Sequence, residues 1–154
     1  MELSGLLQRI EHTVLYGSTE QVQITQVGCH SEKVREGSIF VCIRGSRFDG
    51  HEYAVEAVQK GAAVIVSEEE ALMPERKAQL IALCRQKNPA VVWVETPCSR
   101  KALAFLSAAF FKDPAERMIT IGITGTKGKT TTAYLIREVL KQAGWKVGLI
   151  GTIE

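Results

Sequence analysis

The run Gly122-Ile-Thr-Gly-Thr-Lys-Gly-Lys-Thr-Thr-Thr132 constrains the fold of this chain more than any other feature. Apolar residues Met118 to Ile123 lead into it, and an amphipathic stretch from about Thr130 to Gln142 leads out. The spacing therefore predicts a strand, a glycine-rich loop and a helix in succession. A phosphate cradle needs that order. Glycines let the backbone pass close to phosphate oxygens, and the free N–H groups at the helix start point at them. A lysine after the second glycine supplies a positive charge, and the next hydroxyl can reach Mg²⁺. The general pattern of such loops has a glycine five residues before the Gly of Gly-Lys-Thr; here that position is Ile123, and the glycines fall at Gly125 and Gly128 instead. A plain glycine-rich turn with an exposed lysine accounts for the glycines. It does not account for Lys127, Lys129 and Thr130 to Thr132 crowding a helix start, because threonine is a mediocre helix former.

The rest of the chain supplies α/β surroundings. Leu3, Leu6, Leu7 and Ile10 recur at helical spacing. Strand-like stretches follow near Val22 to Cys29 and Ser38 to Arg44, separated by a polar turn, Lys33 to Gly37. Gly45 to Gly50 reads as a loop, His51 to Lys60 as a helix closed by Gly61, and Ala62 to Val66 as a short strand. Glu68 to Lys87 is helix-like but broken at Met73-Pro74, and Ala90 to Val94 is again a strand. This alternation predicts a sheet covered on both faces. Pro97 marks the expected domain boundary, giving units 1–97 and 98–154. The second contains an apolar helix, Ser99 to Phe111, ended by Asp113-Pro114, then the glycine-rich loop, its helix, a Gly144 cap and a strand from Lys146 to Ile150. A single β-loop-α-β module is too short to be a complete nucleotide-binding domain, so the chain reads as the N-terminal part of something longer.

With 154 residues, 45% apolar and 23% charged, the composition is that of an ordinary globular protein of one domain or two small ones. A net charge of +2 argues for neither nucleic acid nor an anionic membrane surface. No stretch approaches the ~20 apolar residues of a membrane span, and Met1-Glu-Leu-Ser lacks the basic start of a signal peptide; the cytoplasm is the expected compartment. The four cysteines, Cys29, Cys42, Cys84 and Cys98, have no paired spacing, and Cys42 and Cys84 read as buried reduced thiols. His12, His30 and His51 are scattered, so no metal–histidine site is expected.

Ile123 to Thr132 resembles the ATP loop of the Mur ligases, the enzymes that build the peptide stem of bacterial peptidoglycan, and departs from the general pattern as theirs does. The first half agrees independently. Val34-Arg-Glu-Gly-Ser-Ile-Phe-Val-Cys-Ile-Arg-Gly45, Phe48-Asp-Gly-His51 and Ala57-Val-Gln-Lys-Gly-Ala62 look like the UDP-sugar domain shared by the MurE and MurF branches. Thr126 and the ending Gly148-Leu-Ile-Gly-Thr152 resemble the MurE branch. The resemblance implies a fold: a small N-terminal UDP-sugar-binding α/β domain followed by the start of a P-loop parallel-sheet domain. It also implies an ATP- and Mg²⁺-dependent ligase adding L-lysine or meso-diaminopimelate to UDP-N-acetylmuramoyl-L-alanyl-D-glutamate. The alternatives are a MurF-type ligase adding D-alanyl-D-alanine, a non-catalytic nucleotide- or UDP-sugar-binding fragment, and a stand-alone P-loop switch, which leaves the first domain unexplained.

Carried over residue by residue, Gly125, Thr126, Lys127, Gly128, Lys129, Thr130 and Thr131 are the expected ATP contacts. Lys129 is the catalytic cation and the Thr130 hydroxyl the Mg²⁺ ligand. Cys29, Ser31, Ser46, Arg47 and Phe48 are the expected UDP-sugar contacts. Each of the latter has a plainer alternative: a core thiol for Cys29, a turn cap for Ser31, a solvated cation for Arg47, an inward-tucked ring for Phe48. Asp49-Gly50 reads as a turn and the start of a helix. One departure is plain. The family commonly carries Asp-Ser-Arg where this chain has His30-Ser31-Glu32, and Glu32 would be unfavourable close to a diphosphate. The family's amino-acid-binding domain and modified lysine have no counterpart in these residues, so the 154-residue chain by itself is expected to be catalytically silent.

Overall fold

The structure, a computed structural model, describes residues 1–46 and 48–151. Contacts divide the chain into two compact units, Met1–Pro114 and Ala115–Glu154.

The first unit is a five-stranded sheet built from β1 (Thr13–Tyr16), β2 (Gln26–Gly28), β3 (Ser38–Val41), β4 (Ala62–Glu68) and β5 (Val92–Thr96), in the order β1-β5-β4-β3-β2. Strands β2 to β5 run parallel, and β1 closes one side antiparallel to β5. Side chains alternate across a strand, and the core follows that alternation. Ile39, Val41, Val64, Val66, Val92 and Val94 enter one buried cluster, while Phe40, Ile65 and Trp93 enter the other. The central strands therefore have no polar face, as a parallel sheet covered on both sides requires.

On the first face, α1 (Leu3–Leu7) contributes Leu3, Leu6 and Leu7, and α4 (Ser99–Phe110) contributes Ala102, Leu106 and Ala109. The second face is covered by α2 (Ala54–Gln59) and α3 (Pro74–Lys87), with Ala54, Ala57, Val58, Leu80 and Cys84 buried. Proline at the first turn of α3 loses no helical hydrogen bond there, and Arg85 and Lys87 in its last turn suit the negative end of the helix dipole. Trp93, fully buried, donates its indole N–H to Ser67 Oγ at 2.8 Å, which satisfies the ring's one donor.

Several expectations need correction. Strand β1 was not anticipated: three of its four residues are exposed, so it lacks the period-2 signal. The stretch Val22 to Cys29 forms ladder only over Gln26–Gly28. Glu68 ends β4 and does not begin a helix; α3 starts at Pro74. Helix α4, which follows the sequence boundary at Pro97, packs on β2, β3, β4 and α1, so the first unit runs to Pro114.

A short 3₁₀ turn, Pro114–Arg117, leads into the second unit, which holds α5 (Lys129–Gln142). Gly144 closes α5, its N–H bonding Lys141 O at 3.0 Å. The expected strands Met118 to Ile123 and Lys146 to Ile150 carry no ladder. A strand exists by its neighbours' hydrogen bonds, and among the described residues of this unit neither segment has one. Their side chains stand open: Met118, Ile119, Ile121 and Ile150 are all exposed.

Candidate functional site

In the second unit the glycine-rich loop ends at Gly128, whose φ of +74° is left-handed and serves as the cap of α5. A Cβ there would meet open space, so glycine is favoured by backbone conformation rather than by crowding. The first intrahelical bond is Thr132 N–H to Gly128 O at 2.9 Å. The amides of Lys129, Thr130 and Thr131 therefore precede any intrahelical acceptor, at the positive end of a 14-residue helix. Lys129 folds back over the loop, with Nζ 2.7 Å from Gly125 O. Thr126, Lys127 and Thr131 are exposed, and Thr130 is half-buried in the first turn. The structure thus gathers Gly125 to Thr131 at one helix start, as a phosphate cradle requires.

In the first unit the carboxyl ends of β2, β3, β4 and β5 share one edge of the sheet, where ligands of open α/β sheets bind. Cys29 follows β2 directly, and Ser31 opens a one-turn 3₁₀ helix, Ser31–Lys33. Both residues are half-buried. Cys29 and His30 line a groove of about 230 Å³ with Lys33, Val34, Leu103 and Ser107. Lys60 Nζ bridges Ser31 O at 3.3 Å and Glu56 Oε1 at 2.6 Å, which brings a cation beside the turn that carries Glu32. Ser46 and Phe48 lie on the loop after the neighbouring strand, β3. Phe48 is 71% exposed, not tucked inward. Arg47 lies outside the described residues.

That loop is closed at its base. Gly45 N–H bonds Phe48 O at 2.8 Å, Gly50 N–H bonds Ile43 O at 2.9 Å, and Arg44 pairs with Asp49 across it. A Cβ on Gly50 would come within 2.6 Å of Ile43 N, so only glycine fits. Asp49 forms the expected turn, its Oδ1 accepting His51 N–H at 3.0 Å.

Residues that sequence reasoning passed over gather beside this turn. His51 is 1% exposed, with Nδ1 2.6 Å from Asp49 Oδ1 and Nε2 3.4 Å from Glu68 N. Glu68 Oε2 in turn accepts from Ser99 N–H at 2.8 Å and Ser99 Oγ at 2.7 Å. Arg100 donates to Arg44 O at 2.9 Å. The Ser99 hydroxyl and amide hold the Glu68 carboxyl below its usual range. Partial burial pushes Asp49 up, but the His51 amide and ring outweigh it and leave the carboxyl below its usual value. Only the Asp-x-His spacing signalled part of this arrangement in the sequence.

Burial pushes the Cys42 thiol well up, and the Cys84 thiol up to about 11. Both remain protonated and unreactive at neutral pH, as their apolar settings led us to expect. Cys29 is half-buried and Cys98 exposed. No helix among the described residues is long and apolar enough to cross a membrane.

Fold and loop together define an α/β protein whose glycine-rich loop opens a helix. Comparison with known proteins agrees. Residues 23–111 match the model of the Mur ligase family, catalytic domain, and residues 123–154 that of the Mur ligase middle domain. The chain belongs to the Mur ligase family. It is 39% identical over 153 residues to the UDP-N-acetylmuramoyl-L-alanyl-D-glutamate--2,6-diaminopimelate ligase of Bacillus licheniformis, a match covering 99% of this chain and 28% of the relative. It is 38% identical over 153 residues to the ligase of the same name from Clostridium botulinum, covering 99% of this chain and 29% of that one. The chain thus spans less than a third of these curated relatives. Among solved structures, MurF from Acinetobacter baumannii is similar with a TM-score of 0.64 at 21% identity, covering 91% of this chain and 27% of that one, a likeness of fold. MurF ligase from Thermotoga maritima in complex with ADP is similar with a TM-score of 0.50 at 27% identity, covering 80% of this chain and 25% of that one.

Proposed function

We propose that this chain supplies the UDP-sugar-binding and ATP-loop portions of a MurE-type ligase, which adds the third residue of the peptidoglycan stem to UDP-N-acetylmuramoyl-L-alanyl-D-glutamate. The observation that carries the reading is the open start of α5, with three amides ahead of the first intrahelical bond, Lys129 and the Thr130 hydroxyl together. The diaminopimelate ligases aligned across both units support the substrate and favour diaminopimelate as the residue added. Soluble nucleotide substrates of this kind fit a cytoplasmic enzyme.

A carboxylate is a poor electrophile, and ATP supplies the phosphoryl group that turns it into an acyl phosphate. The amine of the incoming residue then attacks the carbonyl carbon, phosphate leaves with the C–O bond, and the amine gives up a proton as the amide forms. Phosphoryl transfer needs positioning and neutralised charge more than covalent help. The amides of Lys129 to Thr131 cradle the phosphates, and Lys129 moves its ammonium from Gly125 O to their oxygens. Lys127 adds a second cation. Thr130 offers Mg²⁺ one hydroxyl; the described residues hold no cluster of three acidic, histidine or cysteine ligands. Phosphate oxygens and water complete such an ion, as Mg²⁺ prefers. On the first unit, Cys29, Ser31, Ser46 and Phe48 flank the uridine diphosphate on two adjacent loops, with the exposed Phe48 ring available for stacking.

The test is phosphate release by the full-length ligase with UDP-N-acetylmuramoyl dipeptide or tripeptide. Release with the dipeptide plus diaminopimelate or lysine is expected and identifies the amino acid. Release only with the tripeptide plus D-alanyl-D-alanine makes the protein a MurF-type ligase. Silence with both leaves nucleotide binding without ligation.

A further inference from the structure

We propose that Asp49 and the buried His51 form a positioning pair that fixes the base of the loop, at Arg44 and Asp49, for nucleotide-sugar binding. The inference rests on the UDP-sugar reading given above and assigns a role to two residues outside the expected contacts. The hydrogen bonding settles the state of the ring. Glu68 contributes a backbone N–H, which can only donate, so His51 Nε2 is the acceptor. The proton is then on Nδ1 and is donated to Asp49 Oδ1 at 2.6 Å. The same carboxylate oxygen holds the His51 amide, so Asp49 is fixed by two donors from one residue.

Asp49 is also the base of the loop. Its backbone pairs with Arg44, and the Gly45-to-Phe48 and Gly50-to-Ile43 hydrogen bonds close the turn above and below it. The opposite leg is held by Arg100 on Arg44 O, and His51 leans on the end of β4 through Glu68. Both legs are therefore tied to rigid elements, while the tip presents Ser46 and Phe48 to solvent. Stability alone does not call for this arrangement, because an apolar side chain in the His51 position could fill the core about as well as a hydrogen-bonded imidazole. Directional bonds to one carboxylate give what apolar packing cannot, a fixed geometry at the base of the loop. An exposed aromatic ring needs such support if it is to be presented in one orientation. The loop lies beside the one that carries Cys29 and Ser31, since β2 and β3 are neighbours with the same direction.

The experiment uses the full-length ligase with Asp49→Ala and His51→Phe, and with Asp49→Asn and His51→Asn as conservative counterparts. Asp49→Asn keeps an acceptor oxygen, and His51→Asn keeps a donor near Nδ1. For Asp49→Ala and His51→Phe, the KM for the UDP-linked substrate should rise about tenfold, with kcat and the KM for ATP held near wild type. The Gly45 amide should exchange faster with solvent. The conservative variants should restore most of both properties. If His51→Phe does not fold, Asp49→Ala decides, because that side chain is partly exposed. A Gly45 amide as protected as in wild type overturns the proposal. So does faster exchange with an unchanged KM, which would also remove Ser46 and Phe48 from the sugar site while leaving the ligase intact. Failure of the ligase reading is seen separately, as a wild-type protein that releases no phosphate; the Gly45 exchange rate still decides whether the pair holds the loop.

Discussion

Helices α4 and α5 read almost alike in sequence and end in opposite situations. Both are amphipathic, one of 12 residues and one of 14. Helix α4 buries Ala102 and Leu106 completely against the parallel sheet of the first unit, while α5 buries no residue and leaves Leu135 and Val139 exposed. The difference lies in what each meets among the described residues. An amphipathic stripe is a potential for burial, and only a neighbouring layer turns it into stability. The chemistry is distributed the other way. The well-packed unit holds its candidate contacts on loops at a sheet edge, and the open unit carries the proposed phosphate cradle on its helix start.

Lys129→Ala gives the largest effect on this contrast. In the full-length ligase it should lower turnover by at least about 10²–10³-fold, as loss of a charge-stabilising donor does. Unfolding of the first unit should not change. Near-normal phosphate release would remove Lys129 from its assigned role.

A pair of truncations comes next. Leu106→Ala should cost about 2–5 kcal/mol in denaturant unfolding of the first unit, because a fully buried side chain leaves a cavity. In the same 154-residue chain, Leu135→Ala, 63% exposed on α5, should stay within about 0.5 kcal/mol. Equal costs would mean that α5 is packed in solution as α4 is, and the comparison between the two helices would fail.

Local features of the molecule were legible and distant ones were not. The glycine-rich loop, α5 and its Gly144 cap are written in consecutive residues, and the succession of apolar strands and helices from β3 to β5 announces a sheet covered on both faces. The exposed edge strand β1 has no such pattern. The runs Met118 to Ile123 and Lys146 to Ile150 have strand composition, yet pairing depends on neighbours that composition does not specify. The same holds for the site. The helix start at Gly125 to Thr131 could be read directly, whereas the contact between His51 and Glu68 spans 17 positions. Asp49-Gly50 was read as a turn, which it is; its bond to a buried ring requires the fold.

The smallest expected effect concerns pH and again separates the units. Glu68 sits below the usual carboxylate range because the Ser99 hydroxyl and amide bond its charged form. A carboxyl with a depressed folded-state pKa stabilises the fold above its unfolded value, near 4, and loses that contribution as pH falls through the folded value. Asp49 is lowered too, through the His51 amide and ring acting against partial burial, and adds in the same direction. The first unit should therefore lose stability below about pH 4. Ser99→Ala removes the hydroxyl donor but keeps the amide. It should cost about 0.5–1 kcal/mol near neutral pH after allowance for solvent screening, and the gap to wild type should close in acid as Glu68 protonates in both. A gap that persists unchanged at low pH would show that Ser99 acts through packing at the start of α4 and not through the carboxylate. In the second unit Glu138 is also held below its usual range, by the Arg137 side chain beside it, but this is an exposed pair on the surface of α5, which contributes little to stability, so acid should act on the first unit first.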